Sequence, residues 1–189
     1  MDPKIALERL LNGNKRYAED NLEHPNRTSI RREAIVARQT PYAVILGCAD
    51  SRVSPEIIFD EGVGDLFVVR VAGNILGPLE LDSIEYAALY LHSSIILVMG
   101  HENCGAVYAV IHDQTKEIES IVEHIAPSIE EAKKNQEKDL LTASIKRNAI
   151  RSRDLLLTSP VIQTLVRENK LEVHAAYYNL QTGVVDILS

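Results

Sequence analysis

Three short apolar segments constrain the fold of this 189-residue chain more than any other feature of its sequence. They cover residues 42–47, 66–72 and 94–100, and each is rich in valine or isoleucine and nearly continuous rather than alternating. Continuous apolar strands are typical of a parallel sheet, because helices cover both of its faces and neither face meets water. The segments therefore predict three strands at the centre of an α/β fold.

Helical patterns lie between and after these strands. Ser54 followed by Pro55 predicts the start of a short helix. Apolar residues at helical spacing predict a second helix over residues 78–92 and a third from residue 118. Pro127 should kink or split the third helix, since proline removes a backbone donor and clashes with the preceding turn.

The two ends of the chain add further helices and a hairpin. An amphipathic helix is predicted near the N-terminus, and others over residues 138–157 and from Ser159. Residues 172–178 and 184–188 have the composition of strands and surround turn residues 181–183, which predicts a hairpin. We expect a central, mostly parallel β-sheet with an antiparallel edge, flanked by helices, with an N-terminal helical arm.

Composition and charge narrow the function classes. Hydrophobic residues make up 46% of the chain and charged residues 25%, which is typical of a folded globular protein. The net charge of −7 argues against a nucleic-acid partner, because binding phosphates needs a basic surface. No apolar stretch approaches the roughly 20 residues that span a bilayer, and the first residues lack a secretory pattern. We expect no nucleic acid, no membrane and a cytoplasmic location.

Two of the predicted strands are followed by residues that suit a metal. Cys48 comes directly after the first strand, and His101 and Cys104 come after the third. Open α/β sheets place their sites outside the carboxyl ends of strands, so these side chains converge if the two strands lie close together. His101 and Cys104 are three residues apart at an expected helix start, which lets both face the same way. Two thiolates and one imidazole suit zinc, and three protein ligands leave a fourth position open for chemistry.

Each of these residues has a simpler explanation when it is taken alone. A lone cysteine is commonly a small buried apolar residue, and a lone histidine at a strand end can be satisfied by its neighbours. Their joint occurrence at two strand ends, with Asp50 and Arg52 alongside, favours a metal site. The sequence has no C-x-x-C pair, no G-x-G-x-x-G fingerprint and no phosphate-binding G-x-x-x-x-G-K-[ST] motif. Redox and nucleotide enzymes are therefore disfavoured.

Asp50 and Arg52 suggest how the fourth position stays open. A free carboxylate beside a metal would coordinate it, whereas Arg52 can hold Asp50 in a bidentate ion pair. Asp50 would then accept a hydrogen bond from water on the metal. The alternative is that Asp50 and Ser51 only cap the following turn, while Arg52 pairs with a surface carboxylate.

These motifs resemble those of a known family. C-A-D-S-R-V at residues 48–53 and H-E-N-C-G at residues 101–105 are similar to the β-carbonic anhydrase signature C-x-D-S-R…H-x-x-C-G. The likeness runs from about Gln39 to Val110 and includes P-E-I-I-F-D, G-D-L-F-V-V-R-V-A-G-N and S-I-E-Y-A. We expect residues 1–189 to form a single β-carbonic anhydrase-like domain, with 1–37 as the N-terminal helical arm and 38–189 as the zinc-binding α/β core.

The resemblance implies a zinc lyase, a carbonate dehydratase that reversibly hydrates carbon dioxide to bicarbonate and a proton by zinc-bound hydroxide. One Zn²⁺ per subunit would be held by Cys48, His101 and Cys104. Asp50 and Arg52 would be the catalytic pair, with Asp50 as a fourth zinc ligand in a closed state.

The resemblance also implies substrate-binding residues. Gln39 would hydrogen-bond the substrate, and Phe67 and Tyr86 would be aromatic pocket residues. The backbone N–H of Gly105 would face bicarbonate. In the family such pockets form across a dimer interface, so Gln39, Phe67 and Tyr86 would serve a neighbour's zinc in a homodimer or homotetramer. Some members have a bicarbonate switch that uses a tryptophan three residues before the first cysteine; here that residue is Ile45, which does not favour the switch.

Two other functions remain open on this sequence. Some relatives hydrolyse carbonyl sulfide or carbon disulfide, which are also linear and apolar, and the ligand motif does not separate them from carbon dioxide. A non-catalytic zinc-stabilised interaction module would need the same ligands. Such a module would not need Asp50 and Arg52.

Overall fold

A computed structural model describes residues 1–188, which contain a five-stranded sheet and eight α-helices. The strands are β1 (Ala43–Gly47), β2 (Leu66–Arg70), β3 (Ile95–His101), β4 (Glu172–Tyr178) and β5 (Val185–Leu188). The helices are α1 (Pro3–Ala18), α2 (Ser29–Ile35), α3 (Pro55–Ile58), α4 (Pro78–Tyr90), α5 (Gly105–Ile111), α6 (Glu119–Lys134), α7 (Leu140–Leu156) and α8 (Pro160–Arg167). A 3₁₀ turn covers Ala72–Asn74.

The strand order across the sheet is β2-β1-β3-β4-β5. Neighbouring strands are parallel except at the β4–β5 edge, which is antiparallel. The predicted α/β architecture with an antiparallel edge is therefore confirmed. β2 lies on one side of β1 and β3 on the other, so the connection from β2 to β3 crosses over β1. The boundary between β1 and β3 is therefore a topological switch point. Such a switch point leaves a crevice outside the carboxyl ends of the strands, where ligands commonly bind.

The continuous apolar character of β1 follows from burial on both faces. Ala43 and Ile45 pack into one apolar cluster, while Val44 and Leu46 pack into another on the opposite face. The first cluster is covered mainly from α1 and α3, and the second from α4, α7 and α8. All five residues of β1 and all seven of β3 are buried, as the sequence pattern predicts.

Helix α1 packs against the sheet of its own chain. Ala6 and Leu10 are fully buried in the first apolar cluster. Asn14 donates from Nδ2 to the carbonyl oxygens of Ile58 and Gly183, at 3.2 and 2.8 Å. Its Oδ1 accepts a 2.8 Å hydrogen bond from the backbone N–H of Val185. A single buried amide therefore joins α1 to α3 and to the β4–β5 hairpin.

The short helix predicted at Ser54-Pro55 is present as α3, with Ser54 at its N-cap, although the serine side chain makes no capping hydrogen bond. A second helix differs from its prediction. Pro127 lies inside α6 without splitting it. Proline removes only one donor, and Ile125, Ile129 and other residues on the buried face hold the helix in place on both sides of it. None of the helices within residues 1–188 has both the length and the apolar content that crossing a membrane requires.

Candidate metal centre

The side chains of Cys48, His101 and Cys104 meet in one buried place. The two sulfur atoms are 4.0 Å apart, and the three donor atoms lie within 4.8 Å of one another. His101 and Cys104 are fully buried, and Cys48 is nearly so. The predicted convergence of two strand ends is therefore present in the fold.

Strand register explains this convergence. Gly47, the last residue of β1, lies opposite Met99 of the parallel strand β3. Cys48 follows Gly47 directly, and His101 is the last residue of β3. The two side chains therefore leave neighbouring strands at the same edge of the sheet, at the switch point.

A turn, rather than a helix, brings Cys104 to this place. His101 still belongs to β3, and Cys104 is the N-cap residue of α5. Between them Asn103 has a φ of 52°, in the left-handed region that asparagine tolerates better than most residues. His101 and Cys104 face the same place, as predicted, but this turn rather than helical spacing aligns them, because His101 ends β3 and Cys104 is only the N-cap of α5.

The tautomer of His101 leaves one ring nitrogen available. Nδ1 lies 2.9 Å from the carbonyl oxygen of Glu102, which can only accept, so Nδ1 carries the proton. Nε2 then presents a lone pair, and it is buried with no hydrogen-bond partner among residues 1–188. A buried polar atom without a partner is costly, and coordination of a metal would remove that cost.

The two thiols influence one another strongly. The hydrogen bond from Cys104 is the largest cause that lowers the pKa of Cys48, and the backbone N–H of Gly73 also contributes, at 3.3 Å from its sulfur. The pKa of Cys104 is raised, first by its bond to Cys48 and then by burial. The pair therefore holds one thiolate readily and a second only with difficulty unless a cation is present.

The donor set fits zinc. Two thiolates bound tetrahedrally at about 2.3 Å would be roughly 3.8 Å apart, close to the separation found here. Ile75, Val107, Ile125 and other apolar side chains surround the thiols. Three ligands of this kind can hold a metal ion and leave one coordination position for chemistry.

Asp50 is held beside these ligands rather than among them. Arg52 donates from Nε to Oδ1 at 2.9 Å and from Nη2 to Oδ2 at 2.7 Å. These hydrogen bonds are the main cause that lowers the pKa of Asp50 to about 2. Its Oδ2 lies 3.9 Å from Nε2 of His101. The carboxylate is therefore ionised and next to the donor group, with both of its oxygens paired to arginine.

Arg70 organises the same loop, a role that the sequence did not suggest. It is the last residue of β2, in register with Gly47. Its guanidinium donates to the carbonyl oxygens of Cys48 and Asp50, at 2.9 and 2.6 Å. The sequence feature that could have identified Arg70 is its charge at the end of an otherwise apolar strand, which lies next to the Cys48–Val53 motif.

The predicted substrate residues fall into two groups. Gly105 is the first residue of α5, directly after Cys104, and a Cβ atom built there would meet nothing within 4 Å. Phe67 and Tyr86 contact each other, with ring centroids 6.3 Å apart. Tyr86 and Gln39 line an open cavity of about 540 Å³. Gly105 is thus beside the donor group, while the other three residues form a separate cluster.

The cluster of Gln39, Phe67 and Tyr86 lies towards the amino ends of β1 and β2, whereas the thiols lie at the carboxyl ends of β1 and β3. Gln39 precedes β1, whose five residues span roughly 16 Å at about 3.3 Å per residue. Phe67 pairs in register with Val44, four residues before Cys48, a separation of roughly 13 Å along the strand. Within one chain these side chains therefore do not approach the Cys48 thiol.

Known proteins that are similar to this chain are carbonic anhydrases. The carbonic anhydrase family model matches residues 43–185. Carbonic anhydrase 2 of Mycobacterium tuberculosis (strain ATCC 25618 / H37Rv) is 45% identical over 134 residues, which cover 68% of this chain and 65% of that protein. The chain thus matches slightly less than two thirds of the length of that relative.

Two further matches cover nearly the whole chain. The carbonic anhydrase of Pseudomonas aeruginosa PAO1 is 31% identical over 192 residues, covering 95% of this chain and 86% of that protein. The solved structure described as the beta-carbonic anhydrase CcaA covers 97% of this chain and 95% of that chain, with 25% identity and a TM-score of 0.79. From the family model, these relatives and this fold, we conclude that the chain belongs to the β-carbonic anhydrase family.

Proposed function

We propose that this chain is a zinc-dependent carbonate dehydratase that interconverts carbon dioxide and bicarbonate, with one Zn²⁺ per subunit. The observation that carries the proposal is the buried Cys48–His101–Cys104 group with an ionised carboxylate beside it. The names of the relatives support carbon dioxide as substrate over carbonyl sulfide or carbon disulfide. The ion pair of Asp50 supports an enzyme over a non-catalytic module.

Metal binding and orientation of water would be carried out by different residues of the site. Cys48, His101 and Cys104 would hold the ion, and its Lewis acidity would make water acidic enough to supply a nucleophile near neutral pH. Asp50, kept ionised by Arg52, would accept a hydrogen bond from the attacking water and orient it.

Surrounding residues would shape the pocket for an uncharged, linear substrate. The apolar side chains around the thiols would exclude bulk water and favour carbon dioxide over ions. Gly105 directly follows Cys104, a Cβ atom there would meet nothing within 4 Å, and its backbone N–H would donate to a bicarbonate oxygen. Asp50 would become a fourth zinc ligand only in a closed state that breaks its pair with Arg52.

A second copy of the chain would complete the pocket. Gln39, Phe67 and Tyr86 cluster away from the thiols of their own chain, so we propose that they serve the zinc of a partner in a homodimer or homotetramer. The surface around them supports this, because Val36 and Tyr90 line the same cavity and are 84% and 68% exposed. Helix α2, which precedes Val36, buries none of its residues within one chain.

The domain organisation and location are also proposals. Residues 1–189 would act as a single domain, with 1–37 as a helical arm on the core of 38–189. A cytoplasmic location suits two unbridged thiols with sulfurs 4.0 Å apart, because reducing compartments protect such pairs from oxidation. Cell fractionation tests the location, and recovery of the protein outside the cytoplasm would contradict it.

Stopped-flow carbon dioxide hydration tests the function. Zinc-loaded protein should accelerate hydration, chelation of the metal should remove the activity, and added zinc should restore it. Sulfide release from carbonyl sulfide, measured on the same preparation, separates the two substrate classes. Protein that carries stoichiometric zinc and hydrates no carbon dioxide would refute the proposal.

A further inference from the structure

The sulfur of Cys48 accepts a hydrogen bond from a backbone amide. The N–H of Gly73, in the 3₁₀ turn after β2, lies 3.3 Å from Cys48 Sγ within hydrogen-bonding geometry. Both residues are buried, so water does not compete for the donor. Amide donors of this kind stabilise thiolate charge and regulate how strongly the sulfur donates to a metal.

The position of Gly73 depends on close packing. Its φ is 72°, in the left-handed region, and a Cβ atom there would lie 2.8 Å from Cδ1 of Ile125. The residue has no side chain with which to anchor itself. Something else must therefore hold the turn at the correct angle to the sulfur.

Asn148 of α7 provides that anchor. Its Nδ2 donates to the carbonyl oxygen of Gly73 at 2.7 Å, across 75 residues of sequence. The side chain is buried, so the amide has no access to bulk solvent as an alternative partner. Because the carbonyl and the N–H of Gly73 share one Cα atom, fixing the first restricts the direction of the second.

We propose that Asn148 is a positioning residue of the metal centre. It holds Gly73 so that the N–H of Gly73 points at the Cys48 sulfur, and this hydrogen bond adjusts how strongly the thiolate binds a metal. The inference rests on the proposed function, since it assumes that the three donors bind a metal. Asn148 would act through Gly73 and would contact neither metal nor substrate. A residue that orients a metal ligand in this way typically changes metal affinity by about 10- to 100-fold when it is removed.

The chain offers a matched control on the same helix. Ser144 lies one turn before Asn148 in α7 and is also fully buried. Its Oγ has no hydrogen-bond partner in the part of the chain that the structure describes. Ser144→Ala therefore perturbs the same helix without removing a hydrogen bond to Gly73.

The experiment compares the wild type, Asn148→Ala and Ser144→Ala in two measurements. The first is the thiolate-to-metal charge-transfer band of the cobalt(II)-loaded protein, which reports on the metal–sulfur bonds. The second is the rate of zinc loss to an excess of a chelator. We expect Asn148→Ala to shift the band and to speed zinc loss by about tenfold or more, while Ser144→Ala matches the wild type.

The outcomes separate this inference from the proposed function. A wild-type protein that takes up neither metal overturns both. A wild type with a thiolate band, and an Asn148→Ala variant identical to it in band and rate, overturns the role of Asn148 alone. Equal changes in the two variants also overturn it, because they would reflect a general effect on α7.

A measurement on the wild type covers the case in which Asn148→Ala fails to fold. Protein loaded with cadmium-113 and labelled with ¹⁵N-glycine should show a coupling between the metal and the amide proton of Gly73, transmitted through the sulfur. A spectrum in which the amide proton of Gly73 shows no coupling to the metal would overturn the inference.

Discussion

Arg52 forms an ion pair with Asp50 and also hydrogen-bonds to the turn that precedes Cys104. Its Nε and Nη2 donate to the two carboxylate oxygens, and Nη2 also lies 3.2 Å from the carbonyl oxygen of Asn103. Arg52 therefore holds the carboxylate beside the three donors rather than among them, and it also joins the loop after β1 to the turn after β3.

Replacing the carboxylate should separate metal binding from turnover. Asp50 is not one of the three converging donors, so Asp50→Ala should retain about one zinc per chain. It should lose turnover by about 10²-fold or more, because the attacking water is no longer oriented. Metal analysis and stopped-flow hydration measure the two effects. Asp113→Asn, at an exposed position after α5, is the control, and loss of zinc from Asp50→Ala would contradict the prediction.

Removing a thiol should abolish metal binding. Cys104→Ala leaves two of the three donors, so its zinc content should fall far below the roughly one ion per chain of the wild type. Val107→Ala, in the same apolar cluster but without a donor atom, should lose stability and keep its zinc. Metal analysis after dialysis distinguishes the variants. Full zinc retention by Cys104→Ala would show that the ion lies elsewhere.

Adding a methyl group at Gly73 should strain the turn. Gly73→Ala meets both an unfavourable φ of 72° and a 2.8 Å contact with Ile125 Cδ1, which together should cost about 2–4 kcal/mol in free energy of unfolding. Ile125→Val removes that methyl group and should recover part of the loss in the double variant. Gly105→Ala, with open space at its Cβ, is the control for stability. Chemical denaturation measures the wild type and these variants, and an unchanged Gly73→Ala would contradict the assigned geometry.

Asp60 should give the fold an acid-sensitive component. Burial alone would raise the pKa of its carboxyl, but hydrogen bonds from Arg16 and from the N–H groups of Glu23 and His24 lower it below the usual 3.8. A pKa that is lower in the folded state stabilises the protein above the unfolded pKa, and this stabilisation disappears as the pH falls through the folded value. Stability should therefore decrease below about pH 4.

A pair of variants tests the contribution of Asp60. Asp60→Asn should cost about 3 kcal/mol at pH 7, since it leaves Arg16 without its buried partner, and it should lose less stability on acidification than the wild type. Asp154→Asn is the control, because Asp154 pairs with Arg153 at the surface and should change stability by less than about 1 kcal/mol. Urea denaturation between pH 7 and pH 3 measures both. Parallel pH profiles for Asp60→Asn and the wild type would contradict the prediction.

The exposed surface near Gln39 should mediate self-association. Tyr90→Asp places a charge on this surface and should shift the sedimentation mass towards the 21.0 kDa of one chain. It should also lower hydration activity, because the pocket would lose the residues from the partner copy. Leu155→Asp, on a different exposed surface of α7, should leave the mass unchanged. A wild type that sediments as a fully active single chain would rule out the shared pocket.

Much of the fold and the donor set could be predicted from the sequence. The apolar runs predicted β1, β2 and β3 because burial on two faces leaves a local pattern that needs no long-range information. Cys48 and His101 were identifiable because each follows such a run, and carboxyl ends of parallel strands share one edge of the sheet. Asp50 and Arg52 are two residues apart, so their pairing was also within reach of local reasoning.

Only the tertiary structure decided how these parts meet. The turn at Asn103, rather than helical spacing, brings Cys104 to His101, and a short run of sequence does not distinguish the two geometries. The approach of Asn148 to Gly73 joins residues 75 positions apart, which no periodic pattern records. The order of the residues and the period of the apolar pattern are properties of the sequence itself. Distances between residues far apart in the sequence depend on how helices and strands pack against one another.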